Sequence, residues 1–230
     1  MKIGIIGAMA QEVKVLTESF NEIKKWEKAG AIFYSGAMAG HEVIVVQSGI
    51  GKVLASLTAS LLIQQYQVDI LINTGSAGGI GEGLSVGDVV IAEKLAYYDV
   101  DATGFGYQYG QLPGGMPLYY EADSTLVKKI AEAAEKSDLA IKKGLIVTGD
   151  SFIDDQAKIN EILSHFPRAL CCEMEGTAIA QTAYQFDVPV VVIRAMSDTA
   201  DHAATQSFDE FIDQAGQRSA EMVMTFVHSI

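Results

Sequence analysis

The stretch VPVVVIRAMSD, Val188–Asp198, is an almost unbroken apolar and β-branched run that stops at a carboxylate. A run this apolar reads as a strand buried on both faces, the kind found in parallel α/β sheets covered by helices. Asp198 then stands at the carboxyl end of a strand, outside which ligands of open α/β sheets bind. A buried Asp is paired or protonated, and desolvation raises its pKa, which suits a general acid. Arg194 is its most obvious structural partner on this reading.

Acids recur at similar places. MKIGIIGA reads as a first strand, and Glu12 follows it at the start of a helix, where the macrodipole favours an ionised carboxylate. In CEMEGTAIA, Cys172–Ala180, Glu173 and Glu175 open a strongly apolar, helix-like stretch. Carboxylates gathered at strand ends suggest an acid–base site that works on a neutral or cationic centre.

Apolar runs and helical periodicity alternate along the rest of the chain, the pattern of an α/β domain. Strands are predicted over Lys2–Gly7, Ile32–Met38, Glu42–Ser48, Asp69–Thr74, Asp88–Ala96, Ala140–Thr148 and Val188–Ala195. Helices are predicted over Val53–Tyr66, Ser124–Lys136 and Met174–Phe186. A first helix carries Val13, Leu16, Phe20 and Ile23, and a last one runs from Phe208 to Phe226 with a capping box of Ser207 and Glu210. The short connection at Gly40 reads as a hairpin, so the sheet is expected to be mixed. With no linker or repeat, residues 1–230 are expected to form one domain. The segment Tyr97–Tyr120, aromatic and threaded with glycine, is expected to pack on a ligand or another subunit.

The 230 residues are 49% hydrophobic and 20% charged, enough for a sizeable core. A formal net charge of −13 argues against nucleic-acid and anionic-membrane partners. No stretch approaches a membrane span, and the opening run is too short for a secretory signal, so the cytoplasm is the expected compartment. Cys171 and Cys172 are adjacent, show no metal spacing with the histidines, and read as core. No metal or cofactor is expected.

Two glycine-rich stretches remain. Gly49-Ile-Gly51-Lys52 fails as a phosphate loop, since Val46 and Val53 stand where a Gly and a Ser or Thr are required; it reads as a strand-to-helix turn. In NTGSAGG, Asn73–Gly79, small residues after a strand let the backbone approach a ligand, and its N–H groups could hold a sugar or an anion. No arginine lies near these early stretches, which disfavours phosphate as a co-substrate and leaves water as the nucleophile.

Together, GIIGAM…E, SGIGKV, NTGSAGG, FGYQYGQLPG, GLIVTGDSFI, EMEGTAIAQ, VPVVVIRAMSD and SFDEF resemble, in order and over essentially the whole chain, the 5′-methylthioadenosine/S-adenosylhomocysteine nucleosidases of the purine nucleoside phosphorylase superfamily. The resemblance implies a single α/β domain with a twisted, mixed, barrel-like sheet flanked by helices, and a homodimer. It also implies roles. Asp198 would protonate adenine N7, and Glu12 would activate the attacking water, held by Ser76 and Arg194. Met174 and Glu175 would contact the ribose, with Ser197 also at the substrate. Phe152 would stack on adenine and Ile153 would bind it through its backbone. Met9 and Phe208 would line the sugar and 5′-thio group. Ala102, Phe105 and Pro113 would reach into the neighbouring subunit's pocket.

The expected reaction is hydrolysis of the N-ribosidic bond of 5′-methylthioadenosine and S-adenosylhomocysteine, with 5′-deoxyadenosine as a further expected substrate. The alternatives are an aminodeoxyfutalosine nucleosidase, a phosphorylase using phosphate, and a noncatalytic nucleoside-binding protein. Retention of both an acid and a base argues against the last.

Overall fold

The computed structural model describes residues 1–135, 141–200 and 204–230. Its elements are, in order, β1 (Lys2–Gly7), α1 (Ala10–Glu18), β2 (Lys24–Lys28), β3 (Ala31–Met38), β4 (His41–Gln47), α2 (Lys52–Gln64), β5 (Ile70–Gly79), β6 (Val89–Tyr97), β7 (Tyr120–Glu121), α3 (Ser124–Ala134), β8 (Ile141–Thr148), α4 (Gln156–His165), β9 (Ala169–Glu173), α5 (Gly176–Gln185), β10 (Val190–Asp198) and α6 (Ala204–Val227).

The sheet closes on itself. Its path runs β10-β6-β8-β9-β5-β1-β4-β3-β2, and β10 also pairs with β5, so β5, β10, β6, β8 and β9 form a five-stranded barrel. The strands from β1 to β2 extend from it as an arm. Parallel pairings (β1 with β4 and β5, β5 with β10, β6 with β8, β8 with β9) mix with antiparallel ones such as β10–β6, β5–β9 and β3–β4. The mixed, barrel-like sheet flanked by helices is the expected fold.

β10 is buried at every residue, as its composition demands. One apolar cluster joins Val191, Ile193 and Ala195 to Leu16 of α1, Ile130 of α3 and Phe226 of α6. Another joins Val190, Val192 and Met196 to Leu62 of α2 and Ile179 of α5. Alternate residues of one strand thus serve both helical layers, which is why the run shows no polar face. The Gly40 turn is a hairpin, with Met38 opposite His41.

Several expectations need correction. α1 ends at Glu18, so Phe20 and Ile23 lie beyond it; Phe20 is nevertheless buried, and Ile23 is exposed. The NTGSAGG stretch is no loop: β5 continues to Gly79 because β10 and β9 supply partners for Gly75 through Gly79. α6 begins at Ala204, which puts Ser207 inside the helix rather than at its cap. Glu173 ends strand β9 and Glu175 is the cap residue before α5, so the predicted helix start at Met174 comes too early. β2, β7, β9 and α4 were not predicted. β2 reads KKWEK, too charged for a strand signal, and survives as an edge strand whose Trp26 stacks on Phe33. Lys136 and Ala140, the predicted ends of a helix and a strand, lie outside the described residues.

Candidate active site

The carboxyl ends of β1, β8, β9 and β10 converge with the second half of β5 on one cleft enclosing about 590 Å³, its open mouth included. Met9 and Glu12 enter from the β1–α1 junction and Ser76 from β5. Phe152 and Ile153 follow β8, while Met174 and Glu175 follow β9. Ser197 and Asp198 end β10, and Phe208 comes from α6. Phe152 and Phe208 meet edge-to-face, ring centroids 5.7 Å apart. No lysine or arginine lines the cleft among the described residues. Nor do these residues contain a group of three His, Cys, Asp or Glu side chains placed to hold a metal.

Glu12 is buried, and four donors converge on its carboxylate. Oε2 accepts the backbone N–H groups of Ala8 at 2.7 Å and Met9 at 3.0 Å. Oε1 accepts the Ser76 N–H at 2.9 Å and the Ser76 hydroxyl at 3.0 Å. The anion that the small-residue stretch holds is therefore the protein's own. Gly75 is what allows this approach: a Cβ there would fall 2.5 Å from Glu12 Oε1 and 2.5 Å from Arg194 Nη1. Of the four donors only the Ser76 hydroxyl can rotate away.

Arg194 lies fully buried beneath the cleft and does not line it. Its Nη2 pairs with Glu173, donates to Asn73 Oδ1 at 2.7 Å, and reaches Glu175 Oε2 only at 3.4 Å. Its Nη1 donates to the Ser76 carbonyl at 3.4 Å, so it supports the Glu12 cradle through Ser76. The expected Arg194–Asp198 pairing is not the one formed: a bulge between Met196 and Asp198 shifts the register, while β9 delivers Glu173 and Glu175 to the guanidinium.

Glu175 Oε1 accepts the Gly51 N–H at 2.8 Å. Burial pushes its carboxyl up to about 8, with Arg194 opposing and Glu173 and Glu12 adding to the rise. Asp198 is buried too; Ser197 Oγ donates to Oδ2 and the Ala200 N–H to Oδ1, each at 2.8 Å. Cys172, which lines the cleft, keeps its proton because burial and the nearby Asp198 both raise its thiol. Cys171 is core, as expected.

Ala102, Phe105 and Pro113 do not line this chain's own cleft, and Phe105 is 86% exposed. Sequence reasoning counted Glu173 among the gathered acids but gave it no role in the site, and missed the part of Gly51. The signal for Glu173 was available, since a carboxylate closing the apolar run ALCC needs a buried partner. Gly51 gave none, because its contribution is a backbone N–H.

Residues 2–228 match the family model described as the phosphorylase superfamily. A curated relative from Exiguobacterium, a 5′-methylthioadenosine/S-adenosylhomocysteine nucleosidase, is 49% identical over 97% of this chain and 96% of its own. The nucleosidase of that name from S. pneumoniae, solved with the transition-state inhibitor MT-ImmA, is 51% identical with a TM-score of 0.96, covering 100% of this chain and 99% of its own. A Helicobacter pylori structure with an aspartate-to-asparagine substitution, holding 5′-methylthioadenosine in its active site, is 32% identical with a TM-score of 0.96 and covers 100% of this chain and 99% of its own.

Proposed function

This chain belongs to the 5′-methylthioadenosine/S-adenosylhomocysteine nucleosidase family of the phosphorylase superfamily, and we propose that it hydrolyses the N-ribosidic bond of both nucleosides, releasing adenine and the 5-thio-substituted ribose. One observation carries this reading: Glu12, Glu175 and Asp198 line a single cleft that no lysine or arginine enters among the described residues.

Breaking the bond develops positive charge on the sugar and negative charge on the departing base. Asp198 protonates adenine N7 and relieves the second charge. Glu175 accepts from the ribose hydroxyls and stabilises the first, with Met174 beside it. Glu12 takes a proton from the water that attacks C1′, once that water displaces the Ser76 hydroxyl. Arg194 acts from below, through Ser76 and Glu173. Phe152 stacks on the base, Ile153 binds it through its backbone, and Ser197 orients Asp198. Met9 and Phe208 enclose the 5′-thio end. Each well-placed acid or base typically contributes roughly 10²–10⁴-fold.

Water rather than phosphate is the nucleophile on this reading, because phosphate needs cations that are committed elsewhere. Arg194 is paired with Glu173, and Lys52 lies 2.7 Å from Asp99. The enzyme acts as a homodimer. Exposed Ile50, just before α2, exposed Val53, Leu54 and Leu57 within it, and exposed Phe105 support this; on this reading the exposed Phe105 and Pro113 reach the partner's cleft, while Ala102, expected to join them, is buried in its own chain. Two free, buried cysteines fit a reducing compartment, the cytoplasm.

The test is adenine release from a panel of 5′-substituted adenosines with and without phosphate. Adenine and free sugar in phosphate-free buffer are expected. Pentose 1-phosphate as the product overturns the hydrolase reading.

A further inference from the structure

Glu173 ends β9 with its side chain buried, and four donors surround its carboxylate. Oε2 accepts the backbone N–H of Glu175 at 3.0 Å and of Gly176 at 2.7 Å, together with the Arg194 guanidinium. Oε1 accepts the Thr148 hydroxyl. Thr148 Oγ1 accepts the Thr177 N–H at 2.9 Å and the Thr177 hydroxyl at 2.6 Å, which leaves its own hydrogen to go to Glu173. Four donors and, among the described residues, no acceptor make the hydrogen-bond pattern of a charged carboxylate. Glu173 also satisfies amides at the α5 start, which otherwise lack intrahelical partners.

Glu175 is placed differently. Its Oε1 takes the Gly51 N–H, and among the described residues Oε2 has only the long 3.4 Å contact to Arg194 while facing the cleft. Three carboxylates, Glu12, Glu173 and Glu175, therefore share one guanidinium, and Glu173 holds it most closely.

We infer that Glu173 is a positioning residue that binds the Arg194 cation and the first amides of α5, thereby aiming the Glu175 carboxylate into the cleft while leaving it short of countercharge. The inference rests on the proposed reaction for its catalytic meaning: the missing countercharge is the positive sugar of the transition state. A Glu175 fully neutralised by Arg194 would gain less from that sugar. Besides Arg194, Glu12 and Asp198, which lines the same cleft, titratable groups near this pair include Tyr97 and Tyr98 at the end of β6 and Cys171 and Cys172 of β9; burial pushes these four up, so they stay neutral. The raised Glu175 carboxyl agrees with this arrangement.

The test uses the substrate-free protein, followed by infrared pH titration of its buried carboxyl groups, alongside the pH profile of kcat/KM. In Glu173→Gln, Arg194 is released to Glu175, whose ionisation midpoint falls by about one to two pH units, and the kcat/KM profile moves with it. Glu173→Asp keeps the charge and holds the midpoint near that of the wild type while lowering the rate. An unmoved midpoint in Glu173→Gln, with activity lowered equally at every pH, reduces Glu173 to a helix cap and overturns the inference. Should Glu173→Gln not fold, Glu175→Gln decides: the titrating band vanishes if the labile proton sits on Glu175, and its survival overturns the assignment. Wild-type protein that releases no adenine refutes the proposed reaction alone, because the infrared result does not depend on turnover.

Discussion

Gly51, in the turn between β4 and α2, donates its backbone N–H to Glu175, which caps α5 on the far side of the cleft, at 2.8 Å. The contact depends on a conformation that other residues rarely adopt, φ 100° and ψ 161°. It ties the exposed start of α2 to the acid proposed to bind the ribose. Lys52, the next residue, reinforces the turn through its backbone N–H to Asp150 at 3.0 Å and its ammonium to Asp99.

Gly51→Ala therefore strains the turn by about 1–3 kcal/mol, since this region is essentially restricted to glycine. A Cβ there would also meet Asp150 Oδ1 at 3.3 Å. The expected result is a lower melting temperature and a raised KM, measured by calorimetry and adenine release. Unchanged values for both would mean that the turn does not hold Glu175.

Asp198→Asn removes the proton donor and keeps the shape. Turnover is expected to fall by roughly 10²–10⁴-fold while nucleoside binding persists, measured by single-turnover kinetics and calorimetric titration. Wild-type-like turnover would take the acid role away from Asp198.

Glu12→Gln has a second cost. An amide presents one acceptor oxygen and one NH₂ group, so either the Ala8 and Met9 N–H pair or the Ser76 N–H is left facing a donor. A loss of stability of about 1–3 kcal/mol is expected in denaturant titrations, in addition to lost turnover. A variant with full stability would show that the cradle relaxes around the amide.

The Glu175 carboxyl, raised from 4.5 to about 8, binds a proton in the folded protein that the unfolded chain releases over that interval. Its contribution to stability is thus fully present below about 4.5 and is lost as the pH rises to about 8. The wild-type melting temperature should decline over this window relative to Glu175→Gln, and parallel curves for the two proteins would contradict the raised carboxyl. Ribose binding that engages the ionised form should release protons near neutral pH, detectable by calorimetry in buffers of different ionisation enthalpy.

Much of the fold was legible. β1 matches the expected Lys2–Gly7 run, and β3, β4 and β6 lie within one residue of the predicted bounds at each end, because apolar alternation and the Gly40 turn act locally. The KKWEK strand was invisible, since pairing with β3 rather than composition makes it a strand. The end of β5 was misread for the opposite reason: Gly75 to Gly79 look like a loop, yet β10 and β9 extend the ladder through them.

What the order of residues determined alone was that acids would stand at strand ends beside small residues, since burial of runs such as VPVVVIRAMSD follows from composition. Which acid meets which partner was decided only by the tertiary structure. The barrel brings Thr148, Glu173 and Arg194 together from three strands, and the bulge before Asp198 removes it from the neighbour that spacing suggested. Ion pairing in the interior depends on register between strands, and no periodicity within one strand encodes that register.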